Sequence, residues 1–126
     1  MEKHRDLIQS YIDGWKNLDA EQILRPLSDD CQIIESHGPT YRGKESIRQW
    51  IADWHQQGNT IEKWVVKTFH ECGDILVCEW DFAYKGKIIK EAFAGITLAH
   101  VKQGKISDLK EYRMTAAPFK WHPTKN

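Results

Sequence analysis

Two residues of this chain of 126 are placed where they could move protons. Glu35 follows the apolar pair Ile33-Ile34 at the end of a short extended run, just before Gly38-Pro39. Side chains on a strand alternate, so Glu35 faces wherever Ile33 faces. If that is an aromatic cavity, desolvation raises the carboxyl pKa and suits it to act as a general base near neutral pH. Otherwise it stands in solvent or pairs with Arg42 or Lys44. Tyr11 lies on the apolar face of the first helical pattern, where it is either an amphipathic core tyrosine or a phenol that donates to a substrate oxygen. Trp15, Trp50, Trp54 and Trp64 have the spacing of a plain core and equally that of a rigid cavity wall. Glu79, Phe93 and Glu111 complete the substrate-binding candidates, the two glutamates as strand carboxylates able to meet inside. Trp80 has a place on the outer sheet face open to it.

The elements that must position these side chains are helical first and extended later. Leu7, Ile8, Tyr11, Ile12, Trp15 and Leu18 recur at spacings of three and four, which predicts a helix over 4–18. Asp19 caps a second helix, with Gln22 in the position of a capping box, Ile23, Leu24 and Leu27 inside, and Pro26 ending it. Ser28-Asp29-Asp30 reads as a turn, CQIIES at 31–36 as a short strand, and Tyr41-Arg42 as a brief extended piece. A third helix is predicted over 44–57, its inner face carrying Ile47, Trp50, Ile51 and Trp54. The period then changes to two, with strands over 60–72, 74–85, 88–102 and 105–114. Gly95 interrupts the third of these, a sign of a bend or of a close approach by another group. Residues 115–126 read as an irregular tail in which Phe119 or Trp121 can dock as a lid. Helices followed by a long sheet make a single α+β domain over 1–126. Strands this long in a small domain imply a strongly curved, mainly antiparallel sheet. Closed by three N-terminal helices, it makes a cone-shaped α+β barrel with a cavity inside.

Composition excludes several functions. Eighteen Lys plus Arg balance eighteen Asp plus Glu, so no cationic excess is available for nucleic acid or a polybasic membrane contact. No apolar run approaches a membrane span, and the polar start MEKHRDLIQS is not that of an exported protein. Cys31, Cys72 and Cys78 are an odd set without metal spacing, as expected of free thiols in the cytoplasm, although Cys72 and Cys78 flank a turn. The six histidines, His4, His37, His55, His70, His100 and His122, show no ligand spacing. No metal and no cofactor is expected.

The chain resembles the nuclear-transport-factor-2-like superfamily, in particular its SnoaL-like and ketosteroid-isomerase-like members. The resemblance spans roughly 5–115 and rests on YIDGWKNLDAEQIL, SDDCQIIESHGPTYRGKESIRQW and FAGITLAHVKQGKISDLKEYR. It implies a catalytic carboxylate base at Glu35 and an oxyanion-hole tyrosine at Tyr11. That pairing is itself a standard case of a carboxylate base working with a tyrosine and a protonated acid. The second acid has no counterpart where the resemblance puts it, because Gly95, Ile96 and Thr97 stand there.

Three functions follow as expectations. One is an isomerase, lyase or cyclase type of enzyme, in which Glu35 removes a proton beside a carbonyl of an apolar small molecule. Another is a non-catalytic module that holds such a molecule in the same cavity. The third, ranked last, is a structural or interaction domain that binds a partner through its open sheet face. Strand 74–85 carries large apolar residues on both faces. Helices cover only one face, so a homodimer packed through the convex sheet face is expected, as the resemblance also implies.

Overall fold

The computed structural model describes residues 3–124. Three helices come first: α1 (His4–Lys16), α2 (Ala20–Leu24) and, after two strands, α3 (Lys44–Gln56). The strands are β1 (Leu27–Ile34), β2 (Thr40–Arg42), β3 (Thr60–Cys72), β4 (Ile75–Lys85), β5 (Lys90–Lys102) and β6 (Lys105–Arg113). They form one six-stranded sheet in the order β2-β1-β6-β5-β4-β3. Every neighbouring pair is antiparallel except β1 and β6, which run parallel. The architecture is α+β with a mostly antiparallel sheet, as the pattern of periods predicts.

The helices bury one stripe each against one face of this sheet. Leu7, Ile8, Tyr11, Ile12 and Trp15 of α1, Ile23 and Leu24 of α2, and Ile47 and Ile51 of α3 meet Leu76, Cys78 and Trp80 of β4 and Ala99, Ile106 and Leu109 beyond. Burial of large apolar side chains at about 25 cal/mol per Å² is the main force holding the layers together. The Asp19 side chain accepts from the Gln22 backbone N–H at 3.1 Å and starts α2. Gly14 lets α2 come close, since a Cβ there would stand 2.6 Å from the Ile23 backbone nitrogen.

The boundaries differ from the sequence reading in three places. First, β1 begins at Leu27, so Ser28-Asp29-Asp30 is no turn: Leu27 pairs with Ile106, and a register shift before Gln32 lets the polar residues bulge outward. Second, α1 stops at Lys16, and Leu18 lies past its end with a positive φ of 56°, exposed rather than on the inner face. Third, the described part of the tail does not dock as a lid: Phe119 is 82% exposed and Trp121 73%. All three cysteines are free. Among the described residues, no helix is long and apolar enough to cross a membrane.

Candidate functional site

Strand alternation and one exceptional contact build a cavity between α1, α3 and the sheet. On β4, Leu76, Cys78, Trp80 and Phe82 point inward, while Ile75, Glu79 and Asp81 point outward. Trp80 is therefore inside, 3% exposed, and not on the outer face. Gly95 makes this arrangement feasible. It pairs with Trp80 across the ladder, and a Cβ there would collide with the indole ring and stand 2.5 Å from the Tyr112 carbonyl oxygen. The mid-strand glycine thus marks a close approach by a side chain. The Trp80 indole N–H donates to the Thr97 hydroxyl at 2.8 Å, which satisfies both buried groups.

The cavity and the solvent at its open mouth together hold about 560 Å³ of non-atom space, of which about 90 Å³ is open to the centre of a water molecule. Its walls are Tyr11 and Trp15 of α1, Trp50 and Trp54 of α3, Ile61 and Trp64 of β3, Trp80 and Phe82 of β4, and Phe93 of β5. Glu35, Ser36, Glu111 and Tyr112 supply the remaining lining. The rings meet edge to face or tilted: Trp15–Trp50 at 4.9 Å, Trp15–Trp54 at 5.4 Å and Trp64–Phe82 at 5.3 Å between centroids. An outer vestibule, lined in part by His37, Asp53, Tyr84, Glu91 and Arg113, shares Glu35 with the inner cavity. Glu35 thus stands at the junction of the two, while Tyr11 belongs only to the inner one.

The two carboxyls are brought together by the parallel pairing of β1 with β6. The last registered pair is Ile34 with Lys110; Glu35 follows just past the end of β1 and its charge acts on Glu111. Neighbouring strands lie about 4.8 Å apart, so two such carboxyls feel each other strongly. The desolvated carboxyl belongs to Glu111: burial, and then the charge of Glu35, push its pKa up to about 8, with a hydrogen bond from Thr97 acting the other way. Glu111 is then largely protonated at neutral pH and offers an O–H donor. Glu35 accepts from the Tyr41 hydroxyl at 2.7 Å and pairs with neither Arg42 nor Lys44. Arg42 binds Gln32 and Lys44 approaches Asp29. Burial and the Glu35 hydrogen bond raise the Tyr41 pKa well above its ordinary value.

Tyr11 is 1% exposed, and its hydroxyl has no hydrogen-bond partner. The indole nitrogens of Trp15 and Trp64 are likewise buried and unpaired. Burial, reinforced by Glu111 and more weakly by Glu35, keeps the Tyr11 phenol protonated by raising its pKa, while the neighbouring Trp15 indole acts the other way. An unpaired buried donor costs about 1–3 kcal/mol, so these groups are available to water or to an acceptor on a bound molecule.

The sequence candidates therefore divide. Tyr11, Trp15, Glu35, Trp50, Trp54, Trp64, Phe93 and Glu111 share the cavity. Glu79 does not: it is exposed on the opposite face and accepts from the Thr68 hydroxyl at 3.0 Å. Its own alternation with Ile75 and Val77 puts it there. Sequence reasoning missed Tyr41, Thr97 and Phe82. Phe82 was legible from its alternation with Trp80. Tyr41 and Thr97 become partners only through cross-strand register. Among the described residues, no group of three or more His, Cys, Asp or Glu is arranged to hold a metal ion.

The sequence profile of the SnoaL-like domain matches residues 8–109. No curated protein matches the chain in sequence. Among solved structures, a protein of ketosteroid-isomerase-like fold from Catenulispora acidiphila, in complex with trimethylamine, superposes with a TM-score of 0.77 at 16% identity, covering 87% of this chain and 86% of its own. TerC co-crystallised with polyporic acid gives 0.74 at 18% identity, covering 88% of this chain and 91% of its own. An LEH-like epoxide hydrolase from M. tuberculosis gives 0.76 at 15% identity, covering 86% of this chain and 80% of its own. At these identities the likeness is one of fold.

Proposed function

Since the chain belongs to the SnoaL-like domain family, we propose that it binds an apolar small molecule in the aromatic cavity and moves a proton beside that molecule's carbonyl. The observation that carries this reading is the placement of Glu35 at the mouth of a cavity whose inner wall holds the unpartnered Tyr11 hydroxyl. Glu35 has one oxygen engaged by Tyr41 and uses the other as the base. The proton leaves the carbon next to the carbonyl, and the electron pair passes to the carbonyl oxygen. Tyr11 and the protonated Glu111 donate to that oxygen as its charge develops. Return of the proton from Glu35 to another carbon completes an isomerisation. The tryptophans position the rings and exclude water. Relatives of the fold crystallised with small molecules, trimethylamine and polyporic acid, support a ligand in the cavity.

The test is deuterium exchange at the α-carbon of a panel of cyclic ketones and enones, followed by NMR in D₂O. The protein accelerates exchange of at least one of them. Glu35→Gln lowers the rate on the order of 100-fold or more, the scale of a lost general base. Unchanged exchange in that variant removes Glu35 from the base role. The second reading is a binding module without turnover, favoured by Tyr41, whose hydrogen bond occupies the carboxylate that must accept the proton. Retention of a ligand with no exchange at any of its carbons selects that reading. The proposal extends to assembly. Val65, Ile96, Tyr112 and Met114 are exposed apolar residues, and a homodimer through the convex sheet face covers them.

A further inference from the structure

We propose that the cavity takes an alkylated ammonium ion, a tertiary or quaternary amine that also carries an oxygen acceptor, held between the indole faces and the Glu35–Glu111 carboxyl pair. This rests on reading the cavity as a ligand site and deepens the binding reading by fixing the ligand's charge; with the cation bound Glu111 is ionised, so the proton transfer, in which Glu111 donates, is not part of it.

The cavity is walled mainly by aromatic rings. Aromatic faces carry the negative side of the ring quadrupole, and Trp attracts cations best. The indoles stand at steep angles to each other, 87° for Trp15 with Trp54 and 78° for Trp64 with Trp80, so these pairs meet edge to face. Two carboxyls are added to this, and among the described residues no Lys, Arg or His lines the inner cavity. The fold already shows the preference at the rim, where the Arg113 guanidinium sits 3.6 Å above the Phe93 ring. That cation is committed, since it also faces Glu91 at 3.6 Å in the vestibule. The inner carboxyls have no such counter-charge.

Size and hydration choose among cations. A bare ammonium loses strong hydration on entering an apolar space and needs several acceptors in return. An alkylated ammonium keeps its charge, sheds weakly held water and packs methyl groups on the rings. The donors on Tyr11, Trp15 and Trp64 can also be met by an oxygen on the same molecule.

A cation between the carboxyls also reverses the repulsion that keeps Glu111 protonated. The groups that face Glu111 are the Tyr11 phenol from α1, Glu35 beyond β1, the Cys78 thiol from β4 and the Thr97 hydroxyl from β5. None is cationic, so the ligand supplies the only positive charge. Its binding drives the Glu111 proton to solvent, whereas a neutral ligand of the same shape leaves that proton in place.

Choline and its neutral isostere 3,3-dimethylbutan-1-ol are the probes, titrated calorimetrically into the whole chain near pH 7 in buffers of different ionisation enthalpy. Choline binds about tenfold tighter or better, a lower bound for a desolvated cation–π site. It releases protons, and its affinity rises steeply from pH 6 towards pH 8 and then levels. Glu111→Gln removes both the release and the slope. Should that variant fail to fold, the wild-type slope and the isostere comparison decide. Equal binding of the two probes, or choline binding with no pH slope, overturns the inference. Binding of the isostere alone overturns it and leaves the ligand cavity standing. If neither binds, the cavity reading falls as well. Failure of α-proton exchange while choline binds removes only the reaction.

Discussion

Replacing Glu111 by Gln isolates the cost of keeping a second carboxyl inside the cavity. In the folded chain its pKa rises from 4.5 to about 8, chiefly through burial and then through the charge of Glu35. The folded state therefore holds this proton more tightly than the unfolded chain does. Between pH 4.5 and about 8 the unfolded state binds fewer protons, so stability falls as pH rises through this window. The contribution is fully present below pH 4.5 and gone above about pH 8. At about 1.4 kcal/mol per tenfold change in proton affinity, the penalty for ionised Glu111 reaches at most about 5 kcal/mol. Water entry and relaxation reduce such penalties, so about 2–3 kcal/mol is the expected measured value. Gln keeps the shape and an N–H donor but never ionises. Urea unfolding at pH 5, 7 and 9 is the assay. The two proteins agree within about 1 kcal/mol at pH 5, and Glu111→Gln is the more stable by about 2–3 kcal/mol at pH 9. A difference that stays constant with pH means that Glu111 does not titrate near pH 8, and the reasoning about the paired carboxyls fails.

The other predictions concern the donors, the glycine and the outer face. Tyr11→Phe removes an unpaired buried hydroxyl, so the apo protein keeps or gains up to about 1–2 kcal/mol in a denaturant series, while α-proton exchange falls by about 10- to 1,000-fold. A loss of stability would mean that the hydroxyl is paired in the folded protein. Gly95→Ala drives a methyl into the Trp80 indole and the Tyr112 carbonyl, and costs about 1–3 kcal/mol by thermal unfolding, with a shift in tryptophan fluorescence. Sedimentation equilibrium at micromolar concentration gives twice the chain mass, and Ile96→Glu returns the 14.8 kDa species; wild type at 14.8 kDa refutes the dimer.

Most of the fold was legible because it follows from periodicity. The spacing of Leu7, Ile8, Tyr11, Ile12 and Trp15 can bury only one stripe of a helix, and the period of two after residue 60 leaves only strands. The same alternation carries Glu35 to the side of Cys31 and Ile33, and it excludes Glu79 once Ile75 and Val77 are placed outside. What was not legible is the coupling between the two carboxyls. It depends on β1 lying parallel to β6, strands separated by more than half the chain, in a register that ends at Ile34 and Lys110. No local signal encodes that pairing, because each strand alone shows only which of its residues share a face. The acid that the family resemblance calls for on β5 is absent there, at Gly95, Ile96 and Thr97. A carboxyl nevertheless reaches the cavity from the adjacent strand, where Thr97 is registered against Glu111. Gly95 connects the two facts. A side chain at that position would expel Trp80, and the Thr97 hydroxyl, which acts on Glu111, would lose the indole N–H that its oxygen accepts. The residue with no side chain thus sets the chemistry of its neighbours.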